Sequence, residues 1–349
     1  MGKSNQFNLG SQVYVIAEIS GNHGGVLENA KQLIIDAKNS GANAVKFQAY
    51  TPDSITLNST KKDFLIPKNN AWEDYDNLYS LYIKAHTPYE WIPELISVAK
   101  SVGIPIFASV FDIESIEILE TQNVFAYKIA SPEVSDVSLI KRVAETKKPV
   151  FISTGLSNLS EIYKAHKLLM DNGSGQIYWL KANTSYPPPV EEINLRTIKN
   201  LSETLNCQVG FSDHTLGYTI TIAAVAAGAQ IIEKHLKLDN DTQTVDDFFS
   251  LGKEKFTEMV SAIRQTEIAL GEVNYDVPPS SQSYLNGKRS VYVSAKINKG
   301  ERFTIQNVKS VRPSFSLATE YLPMILNSRA RKDLELGDRI TISDLEIIS

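Results

Sequence analysis

Two lysines stand inside apolar runs. Lys46 lies in AVKFQ (residues 44–48) and Lys128 in FAYKIA (residues 125–130). An ammonium group in such surroundings is costly unless it is paired. Hydroxyl residues occupy comparable places at the ends of other apolar runs: Ser109, Ser131, Ser153 and Ser212. Ammonium and hydroxyl donors together suit an anion such as a phosphate. Glu18 and Glu233 also lie in these runs, so the lysines either cradle an anion or pair with the glutamates. His214 and His235 close two further runs, in SDHT and EKH. Neighbouring strands lie about 5 Å apart, so two such imidazoles could share a divalent ion. A two-histidine site leaves positions open for water and substrate, as a catalytic metal requires. The other reading is two ordinary histidines capping strands, and no H-E-x-x-H signature is present. His23, in the turn GNHGG, reads either as a mouth residue or as a loop former. His86 is expected to cap the helix that follows it and His166 to be a solvated helix residue. Trp72, Trp91 and Trp179 are expected to be packing groups.

These residues need elements to bring them together. Short β-like runs recur at residues 13–19, 44–48, 104–109, 125–130, 149–153, 177–182, 208–211 and 230–235. Most are continuously apolar in the middle, as strands buried on both faces should be. Amphipathic helical patterns separate them, at 27–40, 89–102, 113–120, 137–145, 159–170, 195–205, 216–227 and 253–270. The alternation predicts a parallel sheet built of βα units. Eight units in about 260 residues fit an α/β fold of the (β/α)8 TIM-barrel type. A doubly wound open sheet is the alternative, but Gly21, Gly24 and Gly25 do not fit the G-x-G-x-x-G spacing after the first strand. In a barrel the strand ends converge on one mouth, which would gather the lysines, hydroxyls and histidines. The polar connection between Tyr50 and His86 is long, and such connections are often functional.

The pattern breaks at residues 274–287 (NYDVPPSSQSYLNG), which read as a linker. Residues 1–273 are therefore assigned to the barrel and 288–349 to a small, mostly β domain. Composition narrows the function. The chain has 349 residues, 42% hydrophobic and 21% charged, an ordinary globular profile. Its net charge of -5 offers no basic field and argues against nucleic acid as a partner. The one cysteine, Cys207, excludes an intramolecular disulfide and fits a cytoplasmic location. The first residues show no leader pattern, and Gln6 breaks the myristoylation pattern. The longest apolar run, 220–232, contains Thr221, Gly228 and Gln230 and is too short to span a bilayer, so no membrane role is expected.

The same residues also spell a family. AEISGNHGG (17–25) resembles the opening of the sialic acid (nonulosonic acid) synthases, which condense phosphoenolpyruvate (PEP) with an amino sugar. AVKFQ (44–48), YKIAS (127–131), STG (153–155), GFSDHT (210–215) and EKH (233–235) are similar to further motifs of that family, in order. KRSVYV (288–293) and VRP (311–313) resemble its C-terminal antifreeze-like (SAF) domain. The resemblance covers nearly the whole chain. YTPDSIT (50–56), Leu78-Tyr79 and HTPYEW (86–91) look closest to the pseudaminic acid synthase branch. Its sugar is an altrose-type 2,4-diacetamido-2,4,6-trideoxy hexose. N-acetylneuraminate or legionaminate synthesis, and a non-catalytic carbohydrate-binding role, are the alternatives. A barrel metallohydrolase would need a carboxylate-rich metal cluster that is not evident here.

By position, the resemblance implies that His214 and His235 hold Mn²⁺ or Mg²⁺. It implies a PEP cradle of Lys46, Ser109, Lys128, Ser131, Ser153 and Ser212, and an acid/base role for Glu18. Gln48 and Asp246 are implied as sugar or metal-water contacts, and Thr184 and Tyr186 as substrate contacts. Arg312 is implied to enter the mouth of a partner subunit, in a homodimer with exchanged C-terminal domains. Glu18 would either deprotonate the attacking water or protonate the new alkoxide. The chain departs from many relatives at KANTSYP (181–187), at SVFD (109–112), at TVDD (244–247) and at Ser314 after Arg312-Pro313. These departures touch no implied metal ligand and neither cradle lysine. They bear on the sugar more than on the reaction.

Overall fold

The structure, a computed structural model, describes residues 9–68, 70–239 and 243–348. The reading of the N-terminus rests partly on residues 1–8, which lie outside the described residues. The chain divides into two compact units, the first ending at Gly271 and the second beginning at Glu272.

Eight parallel strands form the closed barrel of the first unit, in sequence order. They are β1 (Tyr14–Glu18), β2 (Ala44–Ala49), β3 (Ile106–Val110), β4 (Tyr127–Ile129), β5 (Val150–Ser153), β6 (Ile177–Ala182), β7 (Val209–Asp213) and β8 (Ile231–His235). The helices between them begin with α1 (Leu27–Asn39), α2 (Pro52–Ile55), α3 (Leu78–Ala85), α4 (Ile92–Val102) and α5 (Ile113–Thr121). They continue with α6 (Val137–Glu145), α7 (Leu159–Asp171), α8 (Arg196–Leu205), α9 (Thr219–Ala226) and α10 (Lys253–Leu270). On α1 the buried Ala30, Leu33, Ile34 and Ala37 make one apolar stripe at helical spacing. Asn158 and Glu161 close a reciprocal capping box at the start of α7.

The period-2 alternation of strands explains where the polar residues end up. Tyr14, Ile16, Ala44, Phe107, Ala126, Phe151, Tyr178, Leu180 and Ile231 form an apolar cluster separate from the barrel–helix core. Two residues further along their strands come Glu18, Lys46, Ser109, Lys128, Ser153, Ala182 and Glu233. An apolar plug thus fills the N-terminal half of the barrel, with a polar layer above it at the C-terminal ends. No helix among the described residues is long and apolar enough to cross a membrane.

The long connection after β2 is more ordered than its polar composition suggests. It holds α2 and α3, each opened by a capping box, from Thr51 and Asn77 respectively. Four and eight residues are too few for periodicity to show. Two local readings need correction. His86 ends α3 rather than capping the next helix: its Nδ1 lies 2.9 Å from the Ile83 carbonyl. His166 is half-buried rather than solvated, and its Nδ1 accepts the indole N–H of Trp179 at 3.1 Å. Within the expected linker at 274–287, a 3₁₀ helix occupies Pro279–Gly287.

The second unit contains two antiparallel pairs, β9 (Ser290–Val293) with β10 (Val308–Val311) and β11 (Ser328–Ala330) with β12 (Leu345–Ile347). A short helix, α11 (Leu322–Leu326), precedes β11. Its own core gathers Val291, Val293, Ile297, Phe303, Val308 and Ile325, among others.

Candidate active site

A cavity of about 440 Å³ is lined by residues at the C-terminal ends of the barrel strands. That size is ordinary for a small-molecule site. Every site residue expected from the sequence lines it except Arg312: Glu18, Lys46, Gln48, Ser109, Lys128, Ser131, Ser153, Thr184, Tyr186, Ser212, His214, His235 and Asp246. Arg312 lies in the second unit, just past β10, and is exposed.

The ion-pair reading of the lysines is the one the structure shows. Each lysine faces the cavity and each is paired. Lys46 stands in register with Glu18 and contacts its carboxylate, and it donates to Ser109 Oγ at 2.8 Å. Lys128 donates to both oxygens of Glu233, at 2.9 and 3.0 Å. Glu233 also accepts from Ser212 Oγ at 2.9 Å and lies 3.8 Å from Lys46. Burial alone would raise the Glu233 carboxyl, but Lys128 and Lys46 outweigh it and hold it down to about 2. Burial lowers the Lys46 ammonium to about 7, against the pull of Glu233. The floor is therefore two lysines balanced by two carboxylates, in a setting where a bound anion would compete for the ammonium groups.

Around this floor the hydroxyls differ in readiness. Ser131 Oγ accepts the backbone N–H of Gly155 at 2.9 Å. A side chain at Gly155 would run into Thr184 Oγ1 at 2.2 Å and Ser131 Oγ at 2.7 Å, so only glycine lets the three meet. Ser153 Oγ is buried with no protein hydrogen-bond partner. The turn after β1 supplies another wall. Glu18 Oε1 accepts the backbone N–H of Ser20 at 2.6 Å, and Ser20 adopts a left-handed φ of 37°. Ser20 Oγ donates to Asp246, whose carboxyl is raised by burial against that bond. Gly21 permits the approach, since a side chain there would meet Val245 at 2.3 Å. His23 is buried outside the cavity lining. It holds Gly25 N–H at 3.0 Å and packs edge-on against Trp91, so it is a loop former.

The two histidines lie with ring centroids 5.3 Å apart. His214 Nδ1 donates to the Asn183 carbonyl at 3.0 Å, because a carbonyl can only accept; its Nε2 is then the lone-pair nitrogen. His235 Nδ1 is buried and has no protein partner. Burial lowers His214 to about 4 and puts His235 well below its ordinary value, so both rings are neutral near pH 7. Neutral imidazoles with nitrogens lacking protein partners are a donor set that fits a divalent transition metal. No cluster of three or more His, Cys, Asp or Glu side chains suited to a metal occurs among the described residues, so remaining positions would fall to water or substrate.

The long connection after Tyr50, expected from the sequence to be functional, does line the cavity, although its apolar lining residues were not named as site residues. Ile55, Ile66, Leu78, Leu81 and Tyr82 line it from the long connection, with Phe111 from the stretch after β3. Trp72 also lines it, anchored by its indole N–H to the Val245 carbonyl at 2.6 Å and set against Tyr186 at 5.4 Å. Glu133 was missed too. It follows β4, lines the cavity, and has a buried oxygen without a hydrogen-bond partner. Burial raises its carboxyl to about 7, aided by Asp136 and opposed by its own backbone N–H and Lys128. Its proximity in sequence to Ser131 and Pro132 was the one available signal.

Comparison with known proteins gives a consistent result. The NeuB family profile matches residues 33–275 and the SAF domain profile matches residues 288–346. A pseudaminic acid synthase of Campylobacter jejuni is 43% identical over 338 residues, covering 97% of this chain and 98% of that protein. A pseudaminic acid synthase of Helicobacter pylori is 38% identical over 333 residues, covering 95% and 97%. Among solved structures, the N-acetylneuraminic acid synthetase of Leptospira borgpetersenii, in complex with citrate, superposes with a TM-score of 0.69 at 28% identity. It covers 82% of this chain and 94% of that one.

Proposed function

The chain belongs to the NeuB family, and on that premise we propose that it is a pseudaminic acid synthase. It would condense PEP with an altrose-type 2,4-diacetamido-2,4,6-trideoxy hexose, releasing phosphate. The observation that carries this reading is one cavity holding two buried lysines and two neutral histidines at the mouth of a NeuB-family barrel. Likeness to the pseudaminic acid synthases along nearly the whole chain supports the choice of sugar.

In this reading Lys46 and Lys128 bind the phosphate and carboxylate of PEP, with Ser109, Ser131, Ser153 and Ser212 as further donors. His214 and His235 hold Mn²⁺ or Mg²⁺, which when bound polarises the aldehyde oxygen of the open-chain sugar. Gln48, Thr184, Tyr186 and Asp246 orient the sugar so that its aldehyde carbon faces C3 of PEP. C3 forms the new carbon–carbon bond, and positive charge develops at C2. Water adds at C2, the C2–O bond to phosphate breaks, and the ketone forms. In this reading Glu18 moves a proton in these steps, and its contacts with Ser20 N–H and Lys46 support that role. A homodimer with Arg312 serving the partner's cavity, and a cytoplasmic location, complete the proposal. Arg312 has no carboxylate partner among the described residues, which leaves its charge available for that purpose.

The test is PEP-dependent phosphate release with Mn²⁺, using the altrose-type diacetamido sugar, N-acetylmannosamine and the legionaminate precursor in separate reactions, with product masses recorded. Turnover confined to the first sugar is expected. Turnover confined to another would overturn the choice of sugar and keep the reaction.

A further inference from the structure

Directly behind the two histidines lies a second charged cluster that the reaction does not use. Asp213 immediately precedes His214, and Lys234 immediately precedes His235. The two are register partners on β7 and β8. Because strand residues alternate, Ser212 and His214 face the cavity while Asp213 faces the helix layer; Glu233, His235 and Lys234 divide in the same way. Lys234 Nζ lies 3.1 Å from Asp213 Oδ2, and both side chains are 0% exposed. Thr215 donates to Asp213 Oδ1 through its backbone N–H at 2.8 Å and its hydroxyl at 2.7 Å. Thr221 on α9 donates to Oδ2 at 2.5 Å, and Lys234 also donates to the Thr215 carbonyl.

A fully buried ion pair is weak evidence for stability, since apolar residues of similar volume often do as well or better. In some proteins such a pair fixes register, because only one alignment satisfies every donor and acceptor. Here the alignment it fixes is that of the two strands carrying the histidines. We propose that Asp213 and Lys234 are positioning residues, a clamp behind the barrel wall that sets the separation and direction of His214 and His235. This rests on the reading of those histidines as the metal pair. Partners hydrogen-bonded directly to metal ligands commonly matter about 10–100-fold in affinity, a range that bounds the effect of a clamp acting through the strand backbone.

The test uses the full chain carrying Asp213→Leu with Lys234→Met, which replaces the pair by apolar bulk, and Asp213→Asn as a second variant that keeps the size. Mn²⁺ binding without substrate, PEP binding without metal, and the melting temperature are measured. ¹⁵N spectra of labelled histidine report ring tautomers without any metal. For a folded double variant the expected result is Mn²⁺ affinity down about 10–100-fold. PEP affinity should stay within about a factor of two, and the His214 signal should lose its single Nδ1–H form. Mn²⁺ affinity unchanged in a folded variant would overturn the clamp, and so would equal losses of PEP and Mn²⁺. Should the wild type take up no Mn²⁺, the metal reading itself fails, and the histidine spectra alone decide: unaltered His214 and His235 signals would overturn the clamp. If the double variant does not fold, Asp213→Asn is judged by the same criteria.

Discussion

Glu233→Gln should weaken the empty protein and tighten its hold on PEP. The Glu233 carboxylate receives Lys128 at 2.9 and 3.0 Å and Ser212 at 2.9 Å, with Lys46 at 3.8 Å. Glutamine keeps the shape and removes the charge. Taking one partner from a buried ion pair costs about 3–5 kcal/mol, because the other charge is left uncompensated. For a barrel unit of this size that is a fall of about 5–10 °C in melting temperature. A bound PEP faces the opposite change. An anion held by Lys46 and Lys128 would lie about 5 Å from Glu233, where each unit of like charge repels it by about 3 kcal/mol at an effective dielectric of 20. Losing one charge-assisted positioning bond offsets about 1.5–3 kcal/mol of the total, once. PEP carries more than one negative charge, so the balance favours tighter binding by at least about tenfold. At a fixed saturating PEP concentration, tenfold adds about 1.4 kcal/mol of ligand stabilisation. The assay is thermal unfolding of both proteins with and without PEP. A PEP-induced shift in the variant equal to or smaller than that of the wild type would refute the idea that Glu233 competes with the substrate anion for the lysines.

Lys46 gives a pH signature. Burial lowers it to about 7, so above that pH the empty site loses a positive charge. PEP affinity should fall by up to about tenfold per pH unit above 7.5, where its phosphate is already fully ionised. Isothermal titration from pH 7 to 9 would show the slope, and Lys46→Met should bind weakly and without it. The linked effect on folding has the opposite sign. The unfolded chain retains the proton that Lys46 has shed, so this residue makes the empty protein more stable as pH rises from about 7 toward 10.5. Leu81, buried on the apolar wall, should matter to the sugar alone. Leu81→Asn is expected to lower kcat/KM for the 6-deoxy sugar about 10–200-fold while the KM for PEP hardly moves. Arg312→Ala should weaken sugar use and leave PEP affinity nearly intact, measured from the two KM values; equal losses would mark Arg312 as structural.

The barrel was legible because its signal is local and repeated. Apolar runs of strand length alternate with helical stripes, and all eight observed strands end within two residues of the expected ends. The polar layer was legible for the same reason: once strands alternate faces, a lysine at position 46 above Ala44 must share the barrel interior. The sequence could not decide between a cradle and an ion pair for Lys46 and Lys128. Glu18 is 28 residues from Lys46 and meets it only once β1 and β2 pair in this register, and Glu233 is 105 residues from Lys128 and meets it across the interior of the closed barrel. Glu133, Trp72 and the apolar wall from α2 and α3 were hidden likewise, since their elements are too short to carry a period and their partners are distant in the chain. His86 and His166 were misjudged because a side chain's hydrogen bonds depend on which helix end or indole lies beside it. Residue type and strand phase determined which groups face the mouth. The register of neighbouring strands, as of β7 against β8, and closure of the sheet, which joins β1 to β8, decided which of them touch.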